Sequence, residues 1–175
     1  MTPEAAANVP DHATLRGATM DDVGFLRRMT YEAAFWRPGP SRPDFERGLA
    51  TPGIGRYVED WGREGDEAVI ALVRGRPVGA AWFRRFEAND PGFGFVGPDV
   101  PELAIAVEEE FRGRGIGDRL LRALLSRAVE RGVARISLSV NFDNPAARLY
   151  RRLGFRVVGS DHNSWTMVAV LQSME

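Results

Sequence analysis

Arg112-Gly113-Arg114-Gly115-Ile116-Gly117 sets three glycines at alternate positions between an apolar run and an amphipathic segment. The run, Leu103 to Val107, has the composition of a buried strand, and Ile116, Leu120, Leu121, Leu124, Leu125, Ala128 and Val129 recur at helical spacing. A strand, a glycine turn and a helix in that order present unpaired backbone N–H groups at the positive end of the helix dipole. That is the chemistry of a phosphate or pyrophosphate site. The same residues also serve a plain strand-to-helix turn whose glycines only shape the bend, and Arg112 either holds the loop or touches phosphate.

Spacing narrows the ligand. A P-loop needs Gly-Lys-Ser or Gly-Lys-Thr, and this chain contains no lysine. The dinucleotide pattern G-x-G-x-x-G fails as well, because the sixth position is Asp118 counted from Gly113 and Leu120 counted from Gly115. What the loop does satisfy is R-x-x-G-x-G, on Arg112, Gly115 and Gly117. A second segment follows the next predicted strand, with Asn144, Ala147, Leu149, Tyr150, Gly154 and Phe155 in one register. The two segments together, in this order and at this separation, resemble the acetyl-CoA loop and the following helix of the GNAT N-acetyltransferases. The resemblance covers roughly residues 67–171 and extends more weakly back to Thr14.

The resemblance implies a cosubstrate, acetyl-CoA, and an acceptor, a primary amine that attacks directly in a ternary complex. No His-x-Glu or Asp-x-Asp cluster suggests a metal. Amides from Arg112 through Asp118, including Gly113, Arg114, Gly115, Ile116 and Gly117, would face the pyrophosphate. Backbone groups of Ile105, Ala106 and Val107 would pair with the pantetheine arm, and a backbone N–H near Val107 would polarise the thioester carbonyl. Asn144 matches the asparagine that hydrogen-bonds the same arm, although a helix N-cap accounts for it equally. The acidic run Glu108-Glu109-Glu110 would repel a pyrophosphate, so its side chains are expected to point to solvent. A non-catalytic acyl-CoA-binding sensor of the same fold is the alternative function.

Amine acetylation needs two proton events: the ammonium must lose a proton, and the departing thiolate is stabilised by gaining one. Tyr150 stands at the family's general-acid position, and a core aromatic is its alternative. Glu102 opens the fourth predicted strand and resembles the family's strand glutamate, acting directly or through water; a polar strand end at the surface is the equal alternative. His162 is an alternative base, but it sits in a predicted hairpin turn and is expected to be exposed; His12 lies near the start of the chain, and two histidines this far apart give no metal signal.

Composition bounds the rest. The chain has 175 residues, 44% hydrophobic and 27% charged, which predicts one domain over 14–175 after a loosely held 1–13. A net charge of −1, with its basic residues spread among acids, argues against a nucleic-acid partner. The absence of cysteine removes disulfides and thiol nucleophiles and fits a cytoplasmic setting. No run is long and apolar enough for a membrane helix, and residues 1–13 do not read as a signal peptide. Trp36, Tyr57, Trp61, Phe93 and Phe95 are aromatic candidates for the acceptor side, or for lid packing or a homodimer interface.

The predicted elements that must position these groups run β-α-α-β-β-β-α-β-α-β-β. Strands are expected over 14–18, 67–73, 78–86, 102–107, 135–140, 155–159 and 165–171. A second helix is expected from about Pro43, with helical structure resuming at Tyr57 to Trp61. The alternation predicts an α/β (α+β) chain, a mixed central sheet with helices on both faces. The resemblance adds that the sheet is splayed to admit the cosubstrate.

Overall fold

The strands form one mixed seven-stranded sheet in the order β1-β2-β3-β4-β5-β7-β6. A computed structural model describes residues 12–171. The strands are β1 (Thr14–Gly17), β2 (Glu67–Val73), β3 (Arg76–Arg84), β4 (Glu102–Val107), β5 (Arg135–Asn141), β6 (Arg156–Asp161) and β7 (Ser164–Val170). The helices are α1 (Val23–Ala34), α2 (Phe45–Ala50), α3 (Ile116–Glu130) and α4 (Ala146–Arg152). Most of the expected loose segment 1–13 lies outside the described residues. Its last residue, Ala13, is buried, and its carbonyl accepts a hydrogen bond from Arg119. Arg119 therefore tethers the start of the sheet to α3.

Local chemistry sets the elements. β2 and β3 are covered on both faces, so both read as nearly continuous apolar runs. Arg74 and Gly75 join them with φ of 52° and 77°, the left-handed pair that a two-residue hairpin requires. β3 begins at Arg76, two residues earlier than expected. A register shift between Ala71 and Leu72 accommodates Pro77, which has no N–H to give the ladder.

Two cores share the sheet. On one face α3 buries Ile116, Leu120, Leu121, Leu124 and Ala128 against Val69, Ala81, Phe83, Leu103, Ile136 and Leu138. On the other, α1 sets Leu26 and Met29 against Ala68, Ile70, Ala80 and Trp82. Helices on both faces were expected, and the inward set Ile136, Leu138 and Val140 of β5 is buried as its alternation predicts.

Two expectations in the first half need correction. α2 starts at Phe45, not Pro43, because the Asp44 carboxylate accepts the Arg47 N–H at 3.0 Å and so caps the helix one residue after Pro43. Residues 57–61 do not resume a helix beyond one 3-10 turn, Gly55–Tyr57. Carbonyls that a helix would use are taken by side chains: Trp82 Nε1 donates to Tyr57 O at 3.1 Å, and Arg84 donates to Arg56 O and Glu59 O at 2.9 and 2.7 Å.

Arg84 also holds Asp66 at 2.6 Å, with their side chains 1% and 4% exposed. Asp66 in turn accepts the N–H groups of Gly62 and Arg63. Removing one member of a buried pair leaves an uncompensated charge. Asp66→Ala should therefore cost about 3–5 kcal/mol of unfolding free energy, measured by denaturant titration.

Candidate active site

β4 and β5 run parallel but pair at only one position, Glu102 with Ser137. Beyond it they diverge, and a cavity of about 780 Å³ opens between them. That lies within the usual range for small-molecule sites. Ladder parity tells which β4 groups face the gap. Glu108 N donates to Val78 O in β3, whereas Pro101 O accepts Ser137 N from β5. Backbone groups alternate sides along a strand, so those of Leu103, Ile105 and Val107 face the gap. Those of Ala106 face its ladder partner, Ala80. The expectation that Ala106 offers backbone groups to a ligand is thus corrected; Ala106 lines the cavity but its amide belongs to the sheet.

The glycine loop closes one end. Gly113 and Gly115 have φ of 74° and 78°, and a Cβ on either would meet open space. Backbone conformation, not crowding, therefore selects glycine there. The first intrahelical bond of α3 is Arg119 N to Gly115 O, so the amides of Ile116, Gly117 and Asp118 have no acceptor within the helix. Ile116 spends its side chain in the core.

The charged side chains of the loop are committed elsewhere. Arg112 Nε donates to Val107 O at 2.9 Å and its Nη1 to Trp36 O at 3.2 Å, so Arg112 holds the loop. Arg114 donates to Glu110 O and lies over the Phe111 ring. Asp118 pairs with Arg122 at 2.8 Å. Of the acidic run, Glu109 and Glu110 are exposed as expected. Glu108 is not: it is buried, bridging Arg28 and Arg76, which supply the partners that burial of a carboxylate demands.

α4 stands on the β5 side of the gap. Asn144 Oδ1 accepts Ala146 N at 3.0 Å, which is the capping role, and the residue also lines the cavity. Tyr150 is 6% exposed, packs edge-on against Phe155 at 5.9 Å and lines the same cavity. It is both a core aromatic and a cavity residue. Its hydroxyl hydrogen-bonds no other described residue, and burial pushes its pKa well up, so it is a phenol that keeps its proton.

Glu102 is the largest departure from a surface reading, being 2% exposed. Its Oε1 accepts from the Tyr57 hydroxyl and, at 2.9 Å, from Gly94 N. Its Oε2 is buried without a partner. Burial pushes its pKa from 4.5 up to about 7, opposed by the bonds from Tyr57 and Gly94 and by the Arg56 charge. A carboxyl balanced near neutrality can take a proton at working pH.

The remaining wall comes from the end of α1 and from loops. Trp36, Tyr57 and Phe93 line the cavity; Trp61, whose ring lies against Arg84, and Phe95 do not. Trp36 Nε1 donates to Asn141 Oδ1 at 3.0 Å and thereby spans the open gap. His162 is at the rim, 92% exposed at its side chain, in the expected hairpin turn. Tyr57 as the partner of Glu102, the Trp36–Asn141 span and the close packing of Gly92 and Gly94 were not read from sequence. Glycines in a loop and an isolated tyrosine carry no spacing signal.

Residues 30–155 match the model of the acetyltransferase (GNAT) family. The chain belongs to the GNAT family. It is similar to a mycothiol acetyltransferase from Corynebacterium aurimucosum, 38% identical over 146 residues, which is 79% of this chain and 44% of the relative. The chain thus spans less than half the length of that relative. Among solved structures it resembles a ribosomal-protein-alanine N-acetyltransferase from Brucella melitensis at 26% identity, with a TM-score of 0.63 over 90% of this chain and 99% of the other. A PaiA N-acetyltransferase from Thermoplasma acidophilum, in complex with coenzyme A, shares the fold at 15% identity, with a TM-score of 0.61 over 91% and 99%. The splayed GNAT sheet is therefore as the sequence resemblance implied. Among the described residues no helix is long and apolar enough to cross a membrane, and no cluster of three metal-ligating side chains occurs.

The raised pKa of Glu102 has a sign in stability. Between its ordinary value and about 7 the folded chain holds a proton that the unfolded chain has lost. Folding is therefore favoured at the acid end and weakened as pH rises, by up to about 1.4 kcal/mol per unit. Glu102→Gln should remove this component, and unfolding of wild type and variant compared from pH 4.5 to 7 measures it.

Proposed function

We propose that this chain transfers the acetyl group of acetyl-CoA to a primary amine, by direct attack within a ternary complex. The observation that carries the reading is the gap between β4 and β5, with unpaired amides at its end and a phenol and a carboxyl on its opposite sides. The names of the relatives, which specify acetyl transfer, agree with it.

The amides of Ile116, Gly117 and Asp118 and the backbone of 113–115 would hold the pyrophosphate, with the glycines allowing close approach; the Arg112 amide, expected to join them, instead donates to Glu109 O at 3.2 Å. Gly117 fits: a Cβ there would stand 3.7 Å from Leu149 and 3.8 Å from Ile105, on the floor of the gap. The gap-facing groups of Ile105 and Val107 would bind the pantetheine arm as an added strand does. Val107 contributes its N–H only, since its carbonyl serves Arg112. Asn144 keeps its side-chain amide group for the same arm while its oxygen caps α4. Tyr150 acts as the general acid at the departing sulfur. Glu102 acts as the base, with the proton on Oε2 because Oε1 already accepts two donors. Its buried carboxyl receives that proton through water or after a small opening of the loop over it.

We read residues 14–175 as one domain, in keeping with two cores built on one sheet. A cytoplasmic setting fits the cysteine-free composition. A homodimer would cover edge strand β6, every residue of which is exposed.

Acetyl-CoA at a hundred times its Kd should stabilise the chain by about 2.7 kcal/mol. At about 2–4 °C per kcal/mol this is a Tm rise of several degrees. NADH and ATP should give none, and Gly115→Glu, which adds bulk and negative charge at a left-handed position, should abolish the rise. An equal rise in that variant would overturn the loop assignment.

Tyr150→Phe should retain the acetyl-CoA shift but slow turnover at least about tenfold, about 1.4 kcal/mol of barrier. Unchanged turnover would remove Tyr150 from the chemistry. Intact binding with no turnover of any amine in the wild type would favour the acyl-CoA-sensor reading.

A further inference from the structure

Two segments distant in sequence meet at Glu102. Tyr57 comes from the 3-10 turn after α2, and Gly92-Phe93-Gly94 from the loop between β3 and β4. The Tyr57 hydroxyl donates to Glu102 Oε1 and accepts Phe93 N at 2.9 Å, so it satisfies both segments at once. Gly94 N donates to the same Oε1. The Phe93 ring stacks on Tyr57 at 6.2 Å and is itself 57% exposed at the mouth of the cavity.

The glycines make the fit possible. A Cβ on Gly92 would overlap Glu102 Oε2, and one on Gly94 would stand 2.6 Å from the carbonyl carbon of Leu138 in β5. The turn therefore lies with its backbone directly on the carboxyl and on β5. Tyr57 is fixed in turn: its ring packs on Phe86 at 5.1 Å and its carbonyl accepts Trp82 Nε1.

We propose that Tyr57 and the Gly92-Phe93-Gly94 turn are positioning residues that cradle the Glu102 carboxyl and tie it to the acceptor wall of the cleft. This rests on reading Glu102 as the base. The exposed Phe93 ring and the buried carboxyl then move as one unit. An acceptor that shifts Phe93 also shifts the base, which couples acceptor fit to proton removal.

The charged groups around the cradle are accounted for. Arg56 pairs with Asp90 at 3.2 Å and donates to Pro91 O. Arg84, opposite Glu102 in the β3–β4 ladder, is committed to Asp66 and to two carbonyls. Ser137, the β5 partner of Glu102, is uncharged and fully buried. Tyr57 stays protonated, because burial and the neighbouring carboxylate push its pKa up.

The test is a carbon-13 NMR pH titration of the full chain labelled at glutamate side-chain carboxyls. It needs neither acetyl-CoA nor the acceptor, so the cradle stands or falls separately from the transferase reading. Glu102→Gln identifies the resonance, which should titrate near pH 7 in the wild type. Tyr57→Phe keeps the ring contacts but deletes one donor to the ionised form, so the midpoint should rise. Gly92→Ala drives the carboxyl out of the cradle toward solvent, so the midpoint should fall toward that of an ordinary carboxylate. The opposite directions distinguish a cradle from general loosening, which would lower both. A Tyr57→Phe midpoint equal to or below that of the wild type overturns the proposal. So does a Gly92→Ala midpoint that stays in place.

Discussion

Everything at this site depends on two parallel strands that pair once and then separate. Glu102 and Ser137 are the last position at which β4 and β5 are neighbours. β5 stays paired along its whole length with β7, and β4 with β3, so each strand is held straight by its outer partner. The gap is thus a property of the sheet and not of a loose segment. Its cost is a row of β4 backbone groups with no strand opposite. Unpaired buried peptide groups are tolerated only where something polar can reach them. Such a row persists only along a channel open to water or ligand.

Both ends of the gap are secured. At the narrow end the pinned pair Glu102–Ser137 sits beneath the turn at Gly94, which rests on β5. At the wide end a relay of side chains replaces the missing ladder: Arg112 joins Val107 O to Trp36 O, and the Trp36 indole reaches Asn141 on β5. Glu32 steadies that relay by pairing with both Arg112 and Arg42. The loop arginine that could have served as an anion ligand is instead a structural tie, which leaves anion binding to backbone amides. Turning Glu108 away from the loop onto Arg28 and Arg76 has the same electrostatic effect, since it lifts a carboxylate from the approach to those amides.

Legibility in the sequence followed the range of the interactions. β4 was read at its observed bounds, and the apolar face of α3 was read from Ile116 to Ala128, because apolar runs and helical periodicity are local signals. The glycine loop and Asn144–Tyr150 were legible as motifs, and the structure brings both to one cavity. Failures occurred where partners distant in sequence decide. Residues 57–61 form no regular helix because Trp82 and Arg84 take the carbonyls. Ala106 looked equivalent to its neighbours in β4 until strand parity assigned its backbone to β3. Glu102, at a strand end, looked equally suited to the surface; its burial is decided by Tyr57 and by a loop whose glycines carry no periodic signal.

The cradle also accounts for why an acid is kept where it is costly. A carboxyl 2% exposed and lacking a cation in direct contact is unfavourable in its ionised form, and an apolar residue of similar volume would be expected to improve stability there. The fold nevertheless supplies two donors to Oε1 and none to Oε2. Full satisfaction would have held the group ionised and weakly basic, and no satisfaction would have held it neutral. Satisfying one oxygen and leaving the other bare sets the carboxyl between these limits, near neutrality, with the proton directed to a single atom. A core built only for stability has no use for that asymmetry, whereas a group that must alternately accept and release a proton requires it.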